Sequence, residues 1–311
     1  MTAQLGLPAS LALVGSALVL GAYVVEVLDH AIGRVVSGHF EPVGRTLTIP
    51  IHRAALLLLQ QTTTTERPDA PLWLIAPAFL AGLAAAGLAI VPLGPSGALA
   101  NVEAGIVWFG AVGALVMVAV YAHGWAPNSV MPLIGGYRFV ALALSYEMPL
   151  ALVLIAAALP ARALALPVIV ASQADLWNVV RQPLGLPLYL IAGLGLACRR
   201  PLDFADSADL AGGTLVEASG VARLAWSAAK SAMLVAVAAI GATVFLGGWL
   251  GPWLPGPAWV VVKTLALLAL LVTAGHLVAR PRLERFVVIA WVGLIPLALV
   301  NVFLSGLLLL L

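Results

Sequence analysis

Residues 104–122 read AGIVWFGAVGALVMVAVYA, nineteen positions without a charged, histidine or amide side chain. A helix at the surface of a soluble protein needs one polar face, and this stretch has none. As an α-helix it is about 28 Å long, close to the ~30 Å hydrocarbon thickness of a bilayer. Working outward, seven more apolar runs lie at 7–25, 71–93, 137–159, 184–198, 224–246, 256–278 and 287–311, with that at 184–198 the shortest. The expected fold is therefore all-α: a single integral membrane domain over 1–311, a bundle of about eight transmembrane helices.

Composition agrees. The 311 residues are 63% hydrophobic and 9% charged, with a mean hydropathy of +1.10, against about 25% charged in an ordinary soluble domain. A net charge of +2 gives no basis for nucleic-acid binding. The single cysteine, Cys198, can form neither an internal disulfide nor a thiolate cluster for iron–sulfur or zinc, so any redox centre belongs to a partner. The start, MTAQLGLPAS, lacks a basic n-region and a small-residue cleavage site, so the first run is expected to remain as a span.

Orientation follows from the arginines, because basic loops stay cytoplasmic. Arg34, Arg45, Arg53 and Arg67, then Arg138, then Arg199, Arg200 and Arg223, then Arg280, Arg282 and Arg285 fall in alternate gaps. The intervening gaps hold only Arg162 and Arg181. Both termini are expected outside, in a multi-pass protein of the cell inner (plasma) membrane. Two gaps are too long and apolar to be turns. Residues 45–61, RTLTIPIHRAALLLLQQ, set Leu47, Ile51, Ala55 and Leu58 opposite Arg45, Thr48 and His52, the pattern of a helix lying at the interface, with Pro50 placed in its first turn. Residues 165–185, with Trp177 as an interfacial anchor, are expected to behave similarly.

Chemistry is sparse in so apolar a chain. Glu147 falls mid-span, where a carboxylate costs several kcal/mol unless paired, hydrated or protonated, and Pro149 frees a carbonyl near Ser145 for a water or a proton. Lys230 and Lys263 lie about two turns inside their runs and can exchange a proton or pair with Glu147; Lys230 can instead snorkel to the surface. Lys230–Glu147 is the expected ion pair. From Asp203 through Asp206 and Asp209 to Glu217, four of the thirteen acidic residues occupy fifteen positions behind Arg199 and Arg200. That loop is either a solvated turn or a partner surface, and its apolar Leu202, Phe204 and Leu210 favour the partner. The five histidines show no close ligand pair, and no metal site is indicated.

Ordered landmarks then carry a resemblance. Gly124-Trp125-Ala126-Pro127-Asn128-Ser129, Ser145-Tyr146-Glu147-Met148-Pro149-Leu150, Arg199 to Asp209 with Glu217 and Ser219-Gly220, Phe245-Leu246-Gly247-Gly248-Trp249, Lys263, Pro281-Arg282 and Leu294-Ile295-Pro296-Leu297 with Asn301 resemble, in order, the motifs of the complex I membrane subunit of the subunit 1, or H-type, family, itself related to a subunit of membrane-bound hydrogenases. Leu196 or a neighbour stands where that family has a Glu shortly before the loop Arg, Ala205 replaces a Pro, and Lys230 stands about where the family has a Glu in the sixth span. The interfacial helix has Ile51, Ala54 and nearby Arg53 in place of an Asp and a Lys.

The resemblance implies a non-redox subunit of an NADH:quinone oxidoreductase-type translocase. Quinone would be its substrate, iron–sulfur and flavin groups would sit only in partner subunits, and its partners would be the lipid bilayer, other complex I-like membrane subunits and peripheral iron–sulfur subunits. Within it, Glu147, Lys230 and Lys263 are the expected proton path, and Arg34, Arg53, Asp203 and Asp206 the expected quinone-cavity residues. Arg199, Arg200, Asp209, Glu217, Arg282 and Arg285 are expected to dock the peripheral arm. Two alternatives remain open: a quinone-independent anchor of a hydrogenase- or antiporter-type complex, and an independent secondary transporter. The transporter reading lacks the internal repeat many such proteins carry.

Overall fold

The computed structural model of the chain describes residues 7–39, 41–95 and 97–309. The first six residues, on which the reading of an uncleaved start partly rests, lie outside them, as do the last two positions of the final run.

The elements in chain order are α1 (Leu7–Val36), α2 (Val43–Leu59), α3 (Ala70–Ala89), a ribbon of β1 (Pro92–Gly94) and β2 (Gly97–Ala98), α4 (Gly105–Trp125), α5 (Val130–Ala158), α6 (Leu166–Ala171), α7 (Asn178–Arg181), α8 (Gly185–Leu196), α9 (Gly220–Phe245), α10 (Gly256–Leu277), α11 (Leu283–Ile289) and α12 (Ile295–Leu307). The last two join through a π-turn over Ala290–Leu294, directly before Pro296. That proline has no N–H to give the preceding turn, and a wider turn absorbs the break. Among the described residues, seven helices, counting α11 to α12 as one, are long and apolar enough to span a membrane.

The bundle is built around α9. Every residue from Ala229 to Phe245 is buried, and α1, α2, α3, α8 and α10 pack around it. A second group, α4, α8 and α12, packs on α5. Outward faces remain apolar, as on α3 with Leu74 79% exposed and α12 with Phe303 70% exposed, which is the surface lipid requires.

Three expectations change. The run at 184–198 is not a full span: α8 has 12 residues, about 18 Å of helix against ~30 Å of hydrocarbon. It runs antiparallel to α9, with Gly185 against Phe245 and Gly193 against Val237. A Cβ on Gly193 would lie 2.5 Å from the Val237 side chain, so this contact requires glycine. The chain beyond Leu196 is irregular yet buried from Ala197 to Cys198 and from Pro201 to Ala205. Non-helical backbone at membrane depth is tolerated where protein covers it or where it lines a cavity.

Second, α2 does lie on the outside of the bundle with no buried residue, but it begins at Val43. Pro50 is therefore inside the helix, not in its first turn. Third, residues 165–185 form two short helices rather than one amphipathic helix, and turn three amides inward. Gln173, Asn178 and Gln182 are buried and cap helix ends that would otherwise leave carbonyls unpaired. Asn178 Nδ2 donates to Ala157 O (3.2 Å) and Val244 O (2.9 Å), Gln182 Nε2 to Ala156 O (2.7 Å), and Gln173 Nε2 to Thr243 O (3.1 Å).

Candidate functional site

Because α8 stops short, the 197–219 loop enters the bundle and meets charges on three helices. Arg199 bonds Glu26 of α1 (3.1 Å) and donates to Ser231 of α9, whose hydroxyl donates to Glu26 (2.8 Å). Asp206 pairs with Lys230 of α9 and accepts from the Thr214 hydroxyl, with the Cys198 thiol 3.9 Å away. Asp203 pairs with Arg280 at 2.5 Å and more loosely with Arg200 at 3.8 Å. Asp29 of α1 meets His276 of α10 at 3.1 Å. Gly33, one turn on, makes room for that imidazole, since a Cβ there would lie 3.0 Å from His276 Cε1.

These groups surround a cavity of about 220 Å³ whose walls include Asp29, Arg199, Asp203, Asp206 and Lys230. The four carboxylates Glu26, Asp29, Asp203 and Asp206 face the four cations Arg199, Arg200, Lys230 and Arg280, so acids and cations match in number. Balance is what burial demands: the Lys230 and Asp206 side chains are only 11% and 6% exposed, and an unpaired ion there would bear the full desolvation penalty. Lys230 lies about 15 Å along α9 from its loop-side start, so the cavity reaches well into the membrane. Among the described residues, Asp203 Oδ1 is the one carboxylate oxygen of the cavity buried without a partner.

The expected residues divide. Lys230 is paired, but with Asp206 and not with Glu147. The sequence placed Asp206 in a cytoplasmic loop and so out of reach; the loop folds inward. Glu147 sits mid-α5, half-buried, and makes no hydrogen bond or ion pair among the described residues. Its neighbours Leu144 and Met148 are 54% and 53% exposed on the lateral face. Lys263 is not brought to either. It donates to Gly248 O (2.9 Å) and Leu250 O (2.6 Å) and lies 4.4 Å over the Trp177 ring, at the opposite end of α9 from the cavity. Asp203 and Asp206 share the cavity. Arg34 does not line it: it pairs with Glu41 at 3.0 Å, beside His30, whose hydrogen bond holds the Glu41 carboxyl below the usual range, helped by the Arg34 charge. Arg53 is exposed on α2, away from the cavity.

Among the docking candidates, Arg199 turns inward and Glu217 is held by the Ser129 hydroxyl at 2.8 Å. Arg200, Asp209, Arg282 and Arg285 are exposed. Arg138 bonds Asp209 at 2.6 Å, and hydrogen bonding from Ser207, then from Arg138, keeps the Asp209 carboxyl below its ordinary range. Leu202, Phe204 and Leu210, read as contacts for a partner, are buried in this chain instead, at 3%, 3% and 6% exposure.

Sequence reasoning assigned no site role to Glu26, Asp29, Ser231, Thr214, His276 or Arg280. The signal was the spacing of Glu26, Asp29 and His30 on one face of a helix that runs to Val36, eleven residues past the expected end of the first span.

A family model described as NADH dehydrogenase matches residues 14–306, a range that holds every residue of the cavity. The chain is 35% identical over 249 residues to the NADH-quinone oxidoreductase H subunit 2 of Rhodopseudomonas palustris, covering 78% of each. It is 34% identical over 256 residues to the NADH-quinone oxidoreductase H subunit of Geobacillus kaustophilus, covering 80% of this chain and 77% of that one. To the NADH-quinone oxidoreductase H subunit 2 of Cereibacter sphaeroides it is 33% identical over 252 residues, covering 80% and 79%. A multi-pass bundle with a charged cavity at one end and a family match across nearly all of its length together establish that this chain belongs to the NADH dehydrogenase family, alongside the H subunits of NADH-quinone oxidoreductase.

Proposed function

We propose that the chain is the membrane subunit of a complex I-like, proton-translocating quinone oxidoreductase. It performs no electron transfer itself, docks a peripheral iron–sulfur arm, and couples that arm's redox event to proton movement. The observation that carries this reading is the charged cavity, in which paired acids and bases from α1, α9 and the 197–219 loop meet well inside the membrane. Such a cluster is stable only while its charges match, so a charge change at its mouth must be answered by a proton. Quinone is the substrate we assign to that mouth, with Asp203 and its unpartnered oxygen nearest the exchange.

The onward path runs through Glu147, a mid-membrane acid with no partner of its own among the described residues, facing laterally where a neighbouring membrane subunit would pack. Lys263 we assign to holding the 246–255 turn. Exposed Arg200, Asp209, Arg282 and Arg285 form the docking face, on the cytoplasmic side of the inner membrane, with both termini opposite. One observation favours a second reading, a quinone-independent anchor of a hydrogenase- or antiporter-type complex: the cavity, at about 220 Å³, is below the ~300 Å³ at which ligand pockets begin.

The test is to purify the chain from its own membrane in mild detergent, identify the subunits that accompany it, and measure quinone reduction and proton uptake together. Co-purifying iron–sulfur and antiporter-like subunits with quinone-dependent turnover support the proposal. The same assembly without quinone dependence supports the second reading, and isolation as a lone chain refutes both.

A further inference from the structure

The linker from α2 to α3 closes over the start of α9, where Ser219 Oγ accepts from the Thr63 backbone N–H (2.8 Å) and hydroxyl (3.0 Å). Below this threonine collar lies a cleft of about 530 Å³, lined by Leu74, Pro77 and Ala225 and flanked by Trp73. It is separate from the charged cavity and open to the side, with Leu74 79% and Val221 54% exposed. Trp73 is nine-tenths buried, yet its Nε1–H has no acceptor among the described residues. A buried indole N–H ordinarily finds one. Arg67, next to cleft-lining Pro68, is exposed and forms no ion pair among the described residues.

The order of these groups is that of an amphiphile. Cation and hydroxyls lie outermost, the indole donor about 5 Å into α3, at the level where tryptophan meets lipid headgroups, and a purely apolar slot lies deeper. We propose that this cleft is a specific site for one glycerophospholipid of the leaflet on the 197–219 side. Its phosphate is met by Arg67, an ester carbonyl accepts from Trp73 Nε1, and one acyl chain lies against Leu74, Pro77 and Ala225. The volume is within the range of built ligand pockets, and a lipid is the one amphiphile present in excess around every span.

The experiment uses the assembled complex in its native membrane, supplied with phosphatidylglycerol carrying a diazirine on its acyl chain, irradiated and mapped by peptide. Labelling of residues 70–78 and 219–225 is expected to exceed that of the equally exposed α12 face. Ala225→Phe, which fills the slot from an exposed position, is expected to cut it by about tenfold or more while α12 labelling holds. Trp73→Phe is expected to lower lipid retention through detergent by about fivefold, one hydrogen bond's worth of affinity. Uniform labelling of all outward faces, or labelling indifferent to Ala225→Phe, overturns the proposal in favour of an ordinary lipid annulus. Labelling that appears only after partner subunits are stripped away overturns it in favour of a partner helix, and displacement by a prenylquinone but not by phospholipid overturns it in favour of a quinone.

Discussion

Replacing Lys230 by Ala leaves Asp206 as a carboxylate 6% exposed with Thr214 and Cys198 as its remaining hydrogen-bond donors. Removing one partner of a buried pair costs about 3–5 kcal/mol, because the other charge stays desolvated. The same change at an exposed pair costs about 0.2–1 kcal/mol, and the chain supplies that control: Arg138 and Asp209 are 30% and 59% exposed. Unfolding by sodium dodecyl sulfate in mixed micelles, followed by tryptophan fluorescence, reads both. Lys230→Ala is expected in the higher range and Arg138→Ala in the lower. Lys230→Met with Asp206→Leu, which removes both charges, is expected to cost less than the sum of the two single changes, by a coupling of about 0.5–3 kcal/mol. If Lys230→Ala is no worse than Arg138→Ala, or the double variant is simply the sum of the two singles, the pair does not hold the loop in the bundle and the account of the cavity fails.

Glu147→Gln keeps the side chain's size and removes its charge; proton uptake by the assembled complex is expected to fall by at least about tenfold, ~1.4 kcal/mol in rate terms, and unchanged uptake refutes the path. Lys263→Met removes two charge-assisted hydrogen bonds to carbonyls, and a loss of about 2–4 kcal/mol in the same unfolding assay is expected; the proposed assignment of Lys263 to the turn requires turnover to be retained, and lost turnover returns it to the path. Asp209 has a folded-state pKa below its unfolded value, so its contribution is present above about pH 4 and is lost as pH falls through the lower, folded value. Protease access to the 197–219 loop should rise over that acid window in the parent, and the rise should be smaller in Arg138→Ala, where only the Ser207 hydrogen bond still favours the ionised carboxyl. Cross-linking from positions 200, 282 and 285 to peripheral subunits should succeed, whereas position 199, turned toward Glu26 and Ser231, should give none.

The long helices were readable because a bilayer imposes one requirement, an unbroken apolar surface, which a run of residues displays without reference to any other part of the chain. The half-helix was not. A fifteen-residue apolar run resembles a short span, and nothing local says that the depth its helix leaves uncrossed will be filled by the buried loop that follows it. Asp206 was misplaced for that reason. Loops are read as solvated by default, and the partner of Lys230 was then sought among acids within spans, which left Glu147. Glu26 and Asp29 escaped because the first run was closed where its charges begin, although those charges occupy the inward face. Gln173, Asn178 and Gln182 carry no charge, and a cap on a distant helix end leaves no periodicity to detect.

The shortness of α8 also decides where a membrane voltage acts. Polar and charged side chains reach some 15 Å down α9 from the loop face, so that half of the protein would be the more polarisable one and would sustain the smaller part of a potential difference. The drop is compressed into the layer spanned by α8 and the apolar part of α9. A proton carried from the cavity toward the far side would therefore work against nearly the whole potential, about 2.3 kcal/mol per 100 mV, over little more than half of the membrane's thickness. Replacement of the α8 glycines by larger residues would loosen that layer, and the leak it admitted would grow with voltage even at unchanged turnover.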